Sequence, residues 1–122
     1  MANPILLMEA AKKVWDFCNK TEVQAFIKQI KDKVTEMKTL SYDVLMEMVV
    51  KEKPDDERVV AAAILREKKG EVTKISVVYL NSKNQPIFGD GNGKDYGFSL
   101  QSTLVNPDID DLFGDKDLVL LT

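Results

Sequence analysis

The stretch Asp55-Asp56-Glu57-Arg58-Val59-Val60-Ala61-Ala62-Ala63-Ile64-Leu65-Arg66-Glu67-Lys68-Lys69-Gly70 decides the fold, because it can be built in two ways. As a helix it opens on acids, closes on bases and stops at a glycine, which agrees with the helix dipole and with C-terminal capping. Its three consecutive alanines add helix propensity. As a strand it turns at Lys69-Gly70 and returns through Glu71-Val72-Thr73-Lys74-Ile75-Ser76-Val77-Val78-Tyr79, a β-branched run that is strand-like on any reading. The dipole and capping pattern favours the helix, so the chain is expected to change from helix to strand near Gly70.

Upstream, the helical pattern continues. Asn3-Pro4 is a capping side chain followed by proline, and Leu7, Ala11, Val14, Trp15 and Cys18 follow at helical spacing. Thr21-Glu22-Val23-Gln24 fits a capping box for a second helix to about Thr39, with Val23, Phe26, Ile27, Ile30, Val34 and Met37 along one face. Ser41 is placed to cap a third helix that stops before Pro54, with Leu40 and Leu45 spaced as a hydrophobic staple.

Downstream, Asn81-Ser82-Lys83-Asn84-Gln85 is turn chemistry and Pro86-Ile87-Phe88 a short strand. Gly89 to Gly93 reads as a loop. Tyr96 to Leu104 alternates as a strand, Asn106-Pro107-Asp108 breaks it, and Leu118-Val119-Leu120-Leu121 closes the chain as a strand or docked end. The expected fold is α+β. A helical N-terminal half of three or four helices, about residues 3–69, packs on a C-terminal antiparallel sheet, about 71–122, in one two-layer domain.

With 122 residues, 44% hydrophobic and 30% charged, the chain can bury a core without covalent staples. It has no histidine, and its one cysteine, Cys18, reads as a small buried hydrophobe. A single cysteine forms no internal disulfide, which favours a reducing compartment. Without a membrane span or a basic leader ahead of Ile5-Leu6-Leu7, the expected location is cytoplasmic.

The net charge of −3 is unevenly spread. From Asn81 onward Lys83, Lys94 and Lys116 stand against Asp90, Asp95, Asp108, Asp110, Asp111, Asp115 and Asp117. Such a surface repels phosphate backbones and suits a basic protein or a cation. Lys12, Lys13, Lys28, Lys31, Lys33 and Lys38 are interspersed with acids and read as solvated helix faces.

Two segments could carry chemistry. Gly89-Asp90-Gly91-Asn92-Gly93-Lys94-Asp95 could bare amides to a phosphate, but it leads into a strand where a phosphate cradle opens a helix. As a calcium loop it lacks the glycine and the terminal glutamate of an EF-hand, since counting from Asp90 those places hold Asp95 and Gln101. A flexible hairpin loop is the simpler reading.

The second segment, Asn106 to Asp117, interleaves Ile109, Leu112 and Phe113 with aspartates, a mixture that suits docking on a basic surface. Its simpler form is a short helical turn with Leu112 and Phe113 tucked into the chain's own core. As catalytic carboxylates these aspartates show no sign of the raised pKa that acid catalysis needs.

The expected function follows from this character: a small acidic protein-binding module, not an enzyme, of the immunity or antitoxin type, which neutralises a basic, toxin-like partner electrostatically. Asp108, Asp110, Asp111, Asp115, Asp117 and Phe113 are its expected contacts, with Asp90 and Asp95 as a second patch. No cofactor, metal, nucleic acid or membrane is expected, and a monomer is favoured. The alternatives are a structural or assembly protein of phage-related character that self-associates through its helical half, and a calcium-binding or carboxylate-only enzyme.

Overall fold

The computed structural model describes residues 4–5, 25, 34–83, 85–114 and 118–121. In chain order they form β1 (Pro4–Ile5), β2 (Val34–Glu36), α1 (Tyr42–Lys51), β3 (Ala61–Lys69), β4 (Val72–Leu80), β5 (Phe98–Ser102), α2 (Pro107–Phe113) and β6 (Leu118–Leu121). The strands make one sheet in the order β1-β6-β3-β4-β5-β2. All neighbours are antiparallel except β2 and β5, which run parallel, so the sheet is mixed.

The helical N-terminal half is therefore corrected. Among the described residues there are two short helices, and the sheet dominates. The fourth helix is strand β3. It pairs with β4 from Ala61↔Leu80 to Lys69↔Val72, and Gly70, at φ +60°, turns the chain between them. The reason lies in burial on both sides. Ala62 and Ile64 face the helices, while Ala63 on the opposite face is also fully buried. A strand covered on both faces reads as an unbroken apolar run, which by periodicity cannot be told from a buried helix. The features that resembled helix caps do turn work instead. Asp56 Oδ1 accepts from the Arg58 amide at 2.9 Å, and Gly70 supplies the left-handed residue of the hairpin.

Two further corrections lie upstream. Pro4–Ile5 pairs with Leu120–Leu121 as an edge strand where a helix opening was expected. Val34–Glu36, the expected end of the second helix, is strand β2. Its β-branched Val34 and Thr35 lie alongside Ser99 and Leu100 of β5. Ala25 is helical, as expected. The rest of the first two expected helices, including Trp15 and Cys18, lies outside the described residues.

The third helix is α1 as expected. Ser41 Oγ accepts from the Val44 amide at 3.3 Å, and the helix ends at Lys51, ahead of Pro54. Leu40 and Leu45, the staple pair, are both fully buried.

Register explains the core. Ile64, Val77, Val119 and Phe98 line up across the sheet, as do Ala62, Tyr79 and Leu121. They meet Leu45, Met46 and Val49 of α1 and Ile109 and Phe113 of α2 in one cluster. The Tyr79 hydroxyl donates to the Val49 carbonyl at 2.7 Å and ties sheet to helix. The opposite face holds Ala63, Val78, Leu80, Leu118 and Leu120, also buried, so the expected two-layer arrangement, with helices against one face of the sheet, does not account for all of the buried surface. On that face the hydroxyls of Ser76 and Ser99, 3.0 Å apart, satisfy each other across β4 and β5.

Candidate functional site

The acidic segment forms α2, and the fold fixes it at both ends. Asn106 caps it, its Oδ1 accepting from the Asp108 amide at 3.2 Å, and Pro107 occupies the first turn without losing a bond. The approach to the helix is also held. The Leu40 amide donates to the Leu104 carbonyl and the Asn106 amide to the Leu40 carbonyl, extending the parallel pairing of β2 and β5. Both helices therefore leave one ladder side by side. Asp108 uses this closeness, its Oδ1 accepting from the Tyr42 amide in the first turn of α1 at 3.0 Å. That amide has no partner inside its own helix, so an acid on α2 completes the cap of α1.

Farther along α2, Ile109 and Phe113 are in the core. The Arg66 guanidinium lies 4.6 Å from the Phe113 ring centroid and donates to Asp110 Oδ1 at 3.2 Å. Its side chain is only 7% exposed, whereas Asp110 is 58% exposed. Lys68 Nζ is 3.6 Å from the same carboxylate oxygen. Arg66 thus pins the inner edge of α2 to β3 through stacking and a charged hydrogen bond, and the carboxylate of Asp110 still meets solvent. Asp111 is exposed and has no ion pair to a described residue.

The expected contact residues therefore separate. Asp110 and Asp111 sit on the exposed side of α2, Asp110 already bonded to Arg66 and close to Lys68. Asp108 is half-buried and structural, and Phe113, 1% exposed, offers no area to a partner. Asp115 and Asp117 lie outside the described residues.

Asp90 and Asp95 belong to a different place. Asp90 Oδ1 accepts from the amides of Asn92 at 2.7 Å and Lys94 at 3.2 Å, and these bonds hold its carboxyl below the usual range. It caps its own loop. Asp95 is exposed and pairs by backbone with Gly89. Among the described residues, no three histidine, cysteine, aspartate or glutamate side chains gather as a metal site, and no helix is long and apolar enough to cross a membrane.

The sequence reading missed a third feature. Beside the glycine loop, Asp56 accepts from the Arg58 amide, from Arg58 Nε and Nη2, and from the Tyr96 hydroxyl at 3.1 Å. These donors, Arg58 foremost, hold the Asp56 carboxyl well below the usual carboxylate range. Burial, together with the bond to Asp56, pushes the Tyr96 hydroxyl up. Arg58 Nη2 also reaches the Gly89 carbonyl at 3.3 Å. The Asp-x-Arg spacing was the local signal for this pair; its link to Tyr96, forty residues on, left none. Arg58 lines an open groove of about 930 Å³ with Lys83, Lys94, Glu57, Asp95 and the backbone of the glycine loop.

Comparison with protein-family models, curated proteins and solved structures finds no match for this chain.

Proposed function

We propose that this protein is a binding module that docks a basic partner protein on the outer face of α2, in the manner of an immunity or antitoxin-type inhibitor. One observation carries the reading. The carboxylates of Asp110 and Asp111 are exposed on a helix whose backbone is fixed by the Asn106 cap, the Asp108–Tyr42 bond and the buried Ile109 and Phe113. A charged element that is already ordered gives up little conformational freedom on docking, so its charge speeds encounter without an ordering cost. Asp108 and Phe113 act here by holding the helix, and the contact is assigned to Asp111 and to Asp110, the latter sharing its exposed carboxylate between Arg66 and Lys68 of its own chain and the partner.

Paired capture tests the reading. The tagged chain and its Asp110→Asn/Asp111→Asn variant are used as baits on extracts of the native source. The expected result is a basic protein retained by the first bait and lost from the second. Equal retention on both would show that α2 is not the docking surface, and a stable higher oligomer of the chain alone would favour assembly instead.

A further inference from the structure

The glycine loop contains Asn92-Gly93, the one place in the chain where glycine follows asparagine. Elsewhere asparagine precedes proline (Asn3, Asn106), lysine (Asn19), serine (Asn81) or glutamine (Asn84). The order matters because the main-chain nitrogen of the following residue can attack an asparagine side-chain amide and close an imide ring. Proline has no N–H to give up, and a side chain on the following residue crowds the approach; glycine does neither. The fold leaves this pair open. Asn92 and Gly93 are both exposed. The amides of Asn92 and Lys94 donate to Asp90 Oδ1, but the Gly93 amide between them has no acceptor among the described residues. Nor does the Asn92 side chain bond to any of them. Gly93 has φ +98°, and no atom lies within 4 Å of the place a Cβ would take. Asn81 is the contrast: its Nδ2 donates to Gln85 Oε1 while its Oδ1 accepts from the amides of Lys83 and Gln85.

We infer that Asn92 is a site of spontaneous modification in the folded protein, closing on the Gly93 nitrogen and opening with water to aspartate or isoaspartate. Hydroxide takes the Gly93 amide proton, and the nitrogen attacks Asn92 Cγ. The N–Cγ bond forms, the Cγ–Nδ2 bond breaks, and Nδ2 leaves as ammonia after taking a proton from water. Water then adds to one of the two ring carbonyls. Opening at Cγ gives aspartate; opening at the main-chain carbonyl gives isoaspartate, with the chain running on through the side chain. Either product places a new carboxylate between Asp90 and Asp95. The isoaspartyl form also lengthens the backbone by a methylene inside the turn that Asp90 caps, so the amides of residues 92 and 94 no longer both reach its Oδ1. The neighbouring Asp90-Gly91 step has the same order of residues but is protected. Those two amides favour the ionised Asp90 carboxylate, which has no leaving group for ring closure. The inference is independent of α2, because it uses other residues and needs no partner.

The test is incubation of the whole chain at mildly alkaline pH, folded in buffer and unfolded in urea, followed by peptide mapping. In the folded chain the peptide holding Asn92 should gain about 1 Da, the exchange of an amide NH2 for OH, and should split into two isomers. Its rate should be of the same order as in urea, and Asn81 and Asn106 should stay intact. Asp90 should form isoaspartate in urea and not in buffer. Nitrogen-15 spectra of the aged protein should show new amide signals for residues 89–95 alone. Gly93→Ala should slow the conversion several-fold. Because alanine at that φ also reshapes the loop, Asn92→Gln provides the second variant: it keeps an exposed amide, one methylene too long for ready closure, and the mass gain at this position should vanish. The inference is overturned if folded Asn92 stays intact while the unfolded chain converts, or if Asn81 reacts as fast as Asn92 in buffer. A mass gain in that peptide that persists in Asn92→Gln would overturn it too, and isoaspartate at Asp90 at equal rates in buffer and urea would overturn the protection assigned to its two amide bonds.

Discussion

Replacing Tyr79 by phenylalanine removes one oxygen atom from the join between sheet and helix. Tyr79 is 1% exposed, and its hydroxyl donates to the Val49 carbonyl at 2.7 Å. Val49 stands in the last turn of α1, where carbonyls run out of helical partners. The Lys53 amide, which would continue the ladder to Val49, bonds Val50 at 3.3 Å instead. The hydroxyl is therefore what satisfies that carbonyl. Its loss costs about 1 kcal/mol for the bond, and an acceptor left buried and unpaired adds a further penalty of about 1 kcal/mol or more. We expect Tyr79→Phe to destabilise the protein by about 2 kcal/mol, lowering the urea midpoint by about 1 M at unchanged slope.

Alkaline pH gives the same bond a second signature. Burial, with Glu52 adding, pushes the Tyr79 hydroxyl well above its ordinary value. Below pH about 10 it is neutral in both states, and its contribution to stability is present in full. Above that the unfolded chain releases the proton while the folded chain keeps it, so the unfolded state binds fewer protons and stability falls as pH rises. The phenylalanine variant lacks this loss, and the gap between the two proteins should narrow above pH 10. A destabilisation below about 0.5 kcal/mol, well under the cost of an unmet buried acceptor, would refute this account of how α1 is held.

Other perturbations give separate outcomes. Gly70→Ala meets no atom within 4 Å, so its cost is that of a left-handed alanine, about 1 kcal/mol by urea unfolding, and Gly70→Asn should cost less. Gly89→Ala places its methyl 2.5 Å from the Lys94 carbonyl, so the loop must open, with large amide shifts over residues 89–95. Asp108→Ala should cost about 1 kcal/mol and speed hydrogen exchange at the Tyr42 amide; an unchanged exchange rate would exclude Asp108 as its partner. Asp56 contributes its full stabilisation above its ordinary pKa, near 3.8, and loses it progressively as pH falls from there through its depressed value. Its carboxyl carbon signal should therefore still report the ionised form at pH 3, and Arg58→Gln should move the midpoint upward.

The parts of this fold legible in the sequence are those set by neighbours in the chain. The Ser41 cap and the staple residues Leu40 and Leu45 depend on contacts within a few residues, and β4, β5 and β6 show in their own β-branched or alternating apolar runs although their partners are distant. Gly70 is plain as a break, but the favoured reading makes it a helix stop and not a hairpin turn. Residues 61–69 were misread because both faces of β3 are covered, which erases the alternation that marks a half-buried strand. Val34–Glu36 were misread because a distant partner, β5, overrides a helical spacing. The candidate surfaces divide in the same way. The acidic composition of α2 is plain in the sequence, but the bond that fixes Asp108 to Tyr42 spans 66 residues and leaves no local trace. Nothing near Phe113 told that Arg66 would cover it. The groove at Arg58 depends on Tyr96 and Gly89, both brought in by the sheet.

The reading of α2 as a steering surface is tested most directly by stopped-flow association of the chain with its captured partner across ionic strength. Exposed charges act over about 10 Å at 0.1 M salt and about 3 Å at 1 M, so the parent chain should associate more slowly as salt rises. The Asp110→Asn/Asp111→Asn variant should be slower at low salt and nearly flat in its dependence. Equal rates and equal salt slopes for the two proteins would contradict the account.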